Sequence, residues 1–426
     1  PTRRALLAGA AALVVAGAGG AAWWLAKDDS GPVGGPTRRP PKSPTRDPGG
    51  APRPLWTYRG DISDKGAVTA MPIGDIVVLP GSAEGSLIGL DIRRGTVRWT
   101  AGAGIGIAPV PCAGAILQPT ADPDGRLAVV EAADGRTWTT GPLGLDFSRL
   151  LYPFAGFGER MVILMGHATG ADPEAPPQDV DRFLVAYDVV DRKVVWRRKL
   201  GRSTARIGQM AGSDRLGVLL ETDSVTAYRL DDGRPVWRRA LATERTVIST
   251  ETGAARRALA TDDRTVVVSG RGLLVLELAT GRTVWSLDPE EAEEGMTERQ
   301  KGRTLYGAAI IDGNEVYLSF LGRELWVIRR DKRKRARKGN DWRWQSTVRL
   351  AAAPAAPPEP AGPYLFPPLI DTADVTAIAV DRKTMKTAWT YTMPGEPTGV
   401  IRYLGAKDRL YVTRGHTLTV LPVEGG

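Results

Sequence analysis

The chain has few of the residues on which metal, redox and nucleophilic sites depend. Its 426 residues include one cysteine, Cys112, and two histidines, His167 and His416. One cysteine cannot form an intramolecular disulfide, and two distant histidines without cysteine neighbours lack the ligand spacing of a zinc site. The sequence also has no Gly-x-Ser-x-Gly elbow, no glycine-rich phosphate loop and no protein-kinase motif. We therefore expect no catalytic residue, no metal and no cofactor.

Long helical patterns are also scarce. After residue 55 no segment carries a long apolar stripe with the 3.6-residue period of a helix. Short β-branched runs punctuated by glycine and aspartate are found instead, as in residues 76–79, 86–91 and 96–99. Runs of this length and spacing predict antiparallel strands joined by tight turns, and therefore an all-β fold.

Tryptophan recurs at the end of similar phrases along the whole chain. Successive members of the series are 43, 39, 58, 41, 48, 59 and 45 residues apart. A period of this size, with about four short strands in each unit, is typical of a β-propeller. The tryptophans, to which we assign a structural role in the repeat, are Trp56, Trp99, Trp138, Trp196, Trp237, Trp285, Trp344 and Trp389.

The two ends of the chain predict how many blades there are and how the ring closes. Trp56 has no strands of its own before it, whereas the C-terminus supplies strand patterns at 400–403, 410–413 and 417–420 without a tryptophan. If the Trp56 strand is the outer strand of this last unit, the chain forms eight four-stranded blades and leaves no free sheet edge at the seam. The alternatives are an open β-solenoid or two separate sandwiches.

Several phrases match in register, notably Gly89–Trp99, Ala186–Trp196 and Ala379–Trp389. They resemble the blade phrase of the PQQ-like repeat family, which includes quinoprotein dehydrogenases and the lipoprotein subunit of the outer-membrane assembly machine. The resemblance covers residues 55–426 and implies an eight-bladed propeller. It does not imply a reaction, because propellers host many activities. The dehydrogenases also carry an adjacent pair of cysteines near the quinone, and this chain has no such pair.

The N-terminus predicts a membrane anchor over residues 1–30. Arg3 and Arg4 precede 22 uncharged residues, which end near Trp23 and Trp24. That length can cross a bilayer, with arginines at one interface and tryptophans at the other. The segment also resembles a twin-arginine export signal that is removed after export, and a buried helix is a third interpretation. Residues 31–54 contain eight prolines and five glycines and predict an extended linker.

Charge is distributed unevenly along the chain. The net charge is +9, of which the first 54 residues contribute +5 and the remaining residues, with 49 basic and 45 acidic side chains, contribute +4. This near balance argues against a nucleic-acid partner. One basic run stands out, and it is either a solvated turn or a contact for anionic lipid headgroups or a phosphate-rich wall polymer. Its basic residues are Arg329, Arg330, Lys332, Arg333, Lys334, Arg335, Arg337 and Lys338.

These features predict an extracytoplasmic propeller that is tethered to the cell membrane and acts as a non-catalytic binding module, either a sensor or a scaffold. Its partner would be a protein or a small ligand at the rim or in the channel. The Ala/Gly/Arg/Pro-rich composition is typical of a high-GC actinobacterial source. Since the chain begins at Pro1, one alternative is the sensor half of a Ser/Thr protein kinase whose catalytic domain is not in this chain. A PQQ-dependent dehydrogenase and a secreted form are the others.

Overall fold

The structure is a computed structural model that describes most of the chain from residue 50 onward. The described residues are 50–63, 70–102, 104, 109–120, 122, 124–146, 154–170, 179–202, 207–221, 223–241, 258–270, 272–288, 306–320, 323–331, 343–346, 350, 357–369, 375–395, 401–406 and 408–423. The predicted anchor over 1–30, with Arg3, Arg4, Trp23 and Trp24, and most of the predicted linker lie outside them. No helix among the described residues is long and apolar enough to span a membrane.

The described strands form eight antiparallel sheets, and each sheet is one blade of a propeller. The predicted all-β, eight-bladed fold is therefore confirmed. Blades 1 and 2 contain β2 (Met71–Ile73), β3 (Ile76–Pro80), β4 (Ser86–Asp91), β5 (Val97–Gly102), β6 (Val110–Cys112), β7 (Ala115–Pro119), β8 (Leu127–Glu131) and β9 (Thr137–Thr139). Blades 3 and 4 contain β10 (Leu145–Asp146), β11 (Phe154–Phe157), β12 (Met161–Ala168), β13 (Arg182–Asp188), β14 (Lys193–Gly201), β15 (Ile207–Gly212), β16 (Leu216–Glu221), β17 (Ser224–Arg229) and β18 (Pro235–Ala240).

The second half of the ring repeats the same order. Blades 5 and 6 contain β19 (Ala258–Thr261), β20 (Thr265–Ser269), β21 (Leu273–Glu277), β22 (Thr283–Leu287), β23 (Tyr306–Asp312), β24 (Glu315–Phe320), β25 (Glu324–Arg329) and β26 (Arg343–Gln345). Blades 7 and 8 contain β27 (Glu359–Ala361), β28 (Tyr364–Phe366), β29 (Ala377–Asp381), β30 (Thr387–Tyr391), β31 (Ile401–Gly405), β32 (Arg409–Arg414), β33 (Thr417–Pro422) and, from the other end of the chain, β1 (Trp56–Arg59).

Blade 8 closes the ring by pairing the first strand of the chain with the last. β1 runs antiparallel to β33, with Trp56 opposite Val420 and Arg59 opposite Thr417. The side-chain oxygens of Thr57 and Thr419 lie 3.3 Å apart across this seam. The predicted placement of Trp56 in the last blade is therefore confirmed.

The core consists of layers between blades. The four residues Ile76 to Leu79 of β3 are all completely buried, because both faces of the sheet are covered. Ile76 and Val78 pack against blade 2, whereas Val77 and Leu79 pack against blade 8. This two-sided burial explains why the second strand of a blade appears in the sequence as a continuous apolar run and not as an alternating one.

Blade 3 departs from the four-strand pattern. Its sheet has five strands, because β10 and β11 pair with different parts of the same neighbour, β12. β10 lies opposite His167 and Ala168, and β11 lies opposite residues 161–164. The innermost strand of this blade is thus divided in two, which the sequence pattern did not predict.

The tryptophans of the repeat connect each blade to the next one. On the outer strand β5, Trp99 is the only buried residue, and its indole Nε1 donates a 3.0 Å hydrogen bond to the carbonyl of Ala132 in blade 2. The same bond from one blade to a main-chain carbonyl of the next recurs four more times among the described residues. It joins Trp56 to Ile92, Trp196 to Leu230, Trp237 to Leu278 and Trp285 to Arg330.

A glycine turn lies against the ring of each of several tryptophans. Gly233, with φ of +69°, packs so closely on Trp196 that a β-carbon on it would lie 2.6 Å from the indole. The same close approach brings Gly95 onto Trp56, Gly135 onto Trp99 and Gly281 onto Trp237. Only glycine combines the left-handed conformation with this approach.

Two contacts replace this glycine with another residue. Arg192 adopts φ of +55° and places its guanidinium 4.3 Å from the centre of the Trp138 ring. The Trp138 indole then donates to Glu131 of its own blade. Met385, with φ of +52°, is buried in the cluster that contains Trp344, whose Nε1 donates to Thr387 at 2.9 Å. A cation–π contact therefore covers the Trp138 indole where glycine does not, and Met385 adopts the left-handed conformation of the glycine within the cluster of Trp344.

The tryptophan–glycine contact can be tested with matched substitutions. We expect Gly233→Ala to lower the free energy of unfolding by about 3 kcal/mol, since it adds a steric clash to the cost of a left-handed alanine. Gly114→Ala is the control, because Gly114 has φ of +74° but nothing within 4 Å of an added β-carbon. It should cost only about 1–2 kcal/mol. Denaturant unfolding of both variants measures the difference, and equal losses would contradict the role of the indole.

Candidate functional site

The strand order gives the disc two unlike faces. In each blade the turns between the first and second strands, and between the third and fourth, leave one face, which we call the short-turn face. Typical examples are 74–75 and 92–96. Connections between blades leave the opposite face, which we call the long-connection face. They include residues 241–257, 288–305 and 346–358, most of which lie outside the described residues.

The chain enters the propeller at the short-turn face. β1 is an outer strand, and the start of every outer strand lies at that face. Just before β1, Ala51 is buried in the cluster that contains Trp389, and Gly50 lies against the Trp389 side chain. The residues that lead into the seam thus cover the last tryptophan of the series. Residues 50–55 therefore lead into the seam at this side of the disc.

The basic run begins at the same face. It connects β25 to β26, as expected for a turn between the third and fourth strands of blade 6. Arg329 pairs with Asp331 at 2.8 Å, and Arg330 pairs with Asp262 of blade 5. The carbonyl of Arg330 also accepts the Trp285 bond at 3.1 Å. The two described arginines of the run therefore anchor its base, while the basic residues from Lys332 to Lys338 lie outside the described residues.

Several other basic residues of the short-turn face are paired with carboxylates. Asp91 shows how such a turn is held: its carboxylate accepts the backbone N–H groups of Arg93 and Arg94 and an ion pair from Arg98 at 2.6 Å. Burial alone would raise the pKa of Asp91, but these hydrogen bonds outweigh burial and lower it. Similar pairs join Arg136 to Asp134, Arg160 to Asp188, Arg282 to Glu277 and Arg409 to Asp408.

Buried polar groups lie at the opposite end of blades 3 and 4. Arg182, at the start of β13, forms an ion pair with Glu221 at the end of β16, with 3.2 Å between Nη1 and Oε1. Ser224 donates to the other carboxylate oxygen at 3.2 Å. His167 lies directly across the sheet from Arg182 and is 1% exposed. These side chains form a polar layer between two blades beneath the long-connection face.

Of the three rare residues of the sequence, Cys112 and His167 are buried and His416 is exposed. Cys112 is buried on the inner strand β6, and burial raises the pKa of its thiol to about 12, so the thiolate is scarce at neutral pH. His416 contacts the carbonyl of Ile62 through Nδ1 at 2.7 Å, which ties blade 8 to the connection after β1. Within the described ranges, no three His, Cys, Asp or Glu side chains come together as metal ligands.

Glu359 is a buried carboxyl at the contact between blades 7 and 8. It lies on the inner strand β27, is 7% exposed and accepts a 3.3 Å hydrogen bond from the backbone N–H of Gly405 on β31. Burial raises the pKa of Glu359 to about 8, against the opposing effect of the Gly405 bond. The group is therefore largely neutral at pH 7, which reduces the cost of burying it between two inner strands.

Sequence reasoning missed Glu359 and the Arg182–Glu221 pair. Both lie in strands, where a charged residue beside apolar ones reads as the exposed half of an alternating pattern. The only available signal was their position, since Glu359 lies on an inner strand and Arg182 and Glu221 lie at strand ends. The pattern does not distinguish such a position from a solvent-facing one.

Comparison with known proteins supports the predicted repeat family. Residues 181–335 match the PQQ-like repeat model described as outer membrane protein assembly factor BamB. The resemblance expected from the tryptophan phrases is thus confirmed. No curated protein matches the chain in sequence.

Solved structures resemble the fold over most of the chain. The computationally designed Ika8 protein is 14% identical with a TM-score of 0.57, over 85% of this chain and 98% of that one. Sqt1 of Saccharomyces cerevisiae is 11% identical with a TM-score of 0.57, over 87% and 98%. The quinohemoprotein alcohol dehydrogenase ADHIIG of Pseudomonas putida HK5 is 14% identical with a TM-score of 0.50, over 87% and 76%. At these identities the likeness establishes the fold alone.

The raised pKa of Glu359 predicts a pH-dependent stability. Below about pH 4.5 the carboxyl is protonated in both states, so it contributes no pH dependence there. From there to about pH 8 the unfolded chain ionises first, so the folded state loses stability as the pH rises. Thermal unfolding of the wild type and Glu359→Gln at pH 5 and 8 tests this. The Tm of the wild type should fall relative to that of the variant between pH 5 and pH 8. A difference in Tm that does not change with pH would exclude the effect.

Proposed function

We propose that this PQQ-like repeat propeller is a membrane-tethered, extracytoplasmic and non-catalytic binding module. Its short-turn face would lie toward the membrane, and its long-connection face would bind a partner protein or ligand as a sensor or a scaffold. The fold and the repeat family are findings. The location and the orientation of the propeller are the proposed part.

One observation carries the proposal: the N-terminal entry and the basic run share the short-turn face. β1 begins there, and the segment between β25 and β26 leaves from there. A tether of limited length holds the side that it enters closest to the membrane. Because closure through β1 determines that side, the predicted anchor and the basic run would act on the same face.

Electrostatics favour the same orientation. Residues 332–338 contain six basic side chains and no acidic one, whereas the described basic residues around their base are paired with carboxylates. Basic residues near an anionic membrane each contribute about 1 kcal/mol of attraction within a Debye length. A row of six would therefore bias the disc strongly, even on an extended linker.

The opposite face fits the binding role. Three of the connections between blades, residues 241–257, 288–305 and 346–358, are long, and the strands that they join end at one face of a disc that the tryptophan contacts hold together. Loops on a rigid scaffold are where recognition is most often found. The tryptophan rings are used in contacts between neighbouring blades. We therefore expect the connections, and not the tryptophans, to contact a partner.

Two labelled positions test the orientation. Asp134 is exposed on the short-turn face and Glu84 is exposed on the long-connection face. In a Cys112→Ala background, the full chain carrying a fluorophore at Asp134→Cys or Glu84→Cys is reconstituted into vesicles with quencher-labelled headgroups. We expect anionic vesicles to quench the label at position 134 more than the label at 84. Replacing the six basic residues of 332–338 by glutamine should remove that difference.

A matched set of six exposed basic residues on the outer strands provides the control: Arg59, Lys193, Arg197, Lys199, Arg238 and Arg239. Their replacement by glutamine should leave the quenching pattern unchanged. A photo-crosslinker at position 84 should capture a partner protein in cells, and one at position 134 should not. Stronger quenching at 84 than at 134, or protein capture only at 134, would refute the proposed orientation.

A further inference from the structure

Arg402 is a cation on the inner edge of the seam blade. It lies on β31, the strand of blade 8 nearest the propeller axis. Its neighbours Ile401 and Tyr403 pack against blade 7, whereas Leu404 packs against blade 1. Since alternate residues of a strand share a face, Arg402 points with Leu404 toward the contact between blades 8 and 1. It is partly buried there.

No carboxylate among the described residues pairs with Arg402. Burial lowers the pKa of its guanidinium. The other partly buried arginine with a lowered pKa is different, because Arg382 pairs with Asp312. Withdrawing a guanidinium partly from water without a counter-charge is costly, and a bound anion would offset that cost.

A second unsatisfied group lies beside it. Thr413 is directly opposite Arg402 in the β31–β32 ladder, and cross-strand partners project from the same face about 5 Å apart. Thr413 is 7% exposed, and its hydroxyl has no hydrogen-bond partner among the described residues. Buried hydroxyls are almost always bonded. Two donors without an acceptor among the described residues thus lie side by side on one face of the sheet.

We propose that Arg402 and Thr413 form a binding site for a small oxyanion, a carboxylate or a phosphate group, at the axis end of the seam between blades 8 and 1. The planar guanidinium offers two parallel N–H donors to two oxygens of the anion. The Thr413 hydroxyl donates to one of those oxygens or to a third. The site lies between the last and the first blades of the chain, so an occupied site stabilises the closed ring.

The experiment follows thermal unfolding of the full chain in Tris chloride as sodium phosphate or sodium acetate replaces sodium chloride at constant ionic strength. The wild type should show a saturable rise in Tm with at least one of the two anions. A response to phosphate alone assigns a phosphate ligand, and a response to acetate assigns a carboxylate. Absence of a saturable response to both would overturn the proposal.

Three variants separate the site from general salt effects. Arg402→Met should lose the saturable response and, without oxyanion, be at least as stable as the wild type, because it removes an unpaired charge. Thr413→Val, which is isosteric, should weaken the apparent affinity about tenfold, as the loss of one hydrogen bond to a charged group does. It also keeps the test decisive if Arg402→Met does not fold. The control Arg382→Met should lose stability but keep the response. A full response in both site variants would overturn the proposal.

Discussion

The whole structure depends on one constraint, which is that no blade can bury its own faces. The second strand of a blade is apolar on both sides, as Ile76 to Leu79 show, and each side is covered only by a neighbouring sheet. Blades therefore exist as members of a closed ring or not at all. The last blade must meet the first, and it does so by borrowing β1 from the other end of the chain. The tryptophan contacts serve the same constraint, because each that reaches a carbonyl of the next blade fixes the distance and angle between two sheets.

The number of blades and the closure of the ring could be predicted from the sequence, because both follow from the number of tryptophans and strands. The tryptophan period indicated the blades, and three C-terminal strands without a tryptophan implied that Trp56 completes them. Details that depend on the shape of a particular contact could not be predicted. Nothing local to residues 145–157 indicates that the inner strand of blade 3 is divided into β10 and β11. Arg192 could not be recognised as a substitute for glycine either, since its role depends on the Trp138 ring about fifty residues away in the chain. The buried charges could not be predicted for a third reason. Periodicity does not distinguish a charged residue of a short strand that faces water from one that faces another blade.

Closure of the ring also determines the face at which the chain enters the propeller. Once β1 is the outer strand of blade 8, the polypeptide must enter at the face where outer strands begin. The basic segment leaves from that face for an unrelated reason, namely that it joins a third strand to a fourth. Two features from distant parts of the sequence are thus brought to one side by the alternation of antiparallel strands, and the long connections are left on the other. The asymmetry of the disc is therefore a property of its topology, on which a tether and a partner can each act.

The buried polar groups discussed above differ in how their burial is compensated. Arg182 and Glu221 satisfy each other across blades 3 and 4, and Ser224 adds a donor to the same carboxylate. Glu359 remains largely protonated at pH 7, which reduces the free-energy cost of burying its carboxyl. Neither solution is available to Arg402, because a guanidinium stays charged at any physiological pH and none of the described residues offers it a carboxylate. Valine at position 413 would have the same shape as threonine. The Thr413 hydroxyl adds a second donor beside Arg402. Two donors that lie together near the axis, without an acceptor among the described residues, have the chemistry of a site for an acceptor from outside the chain.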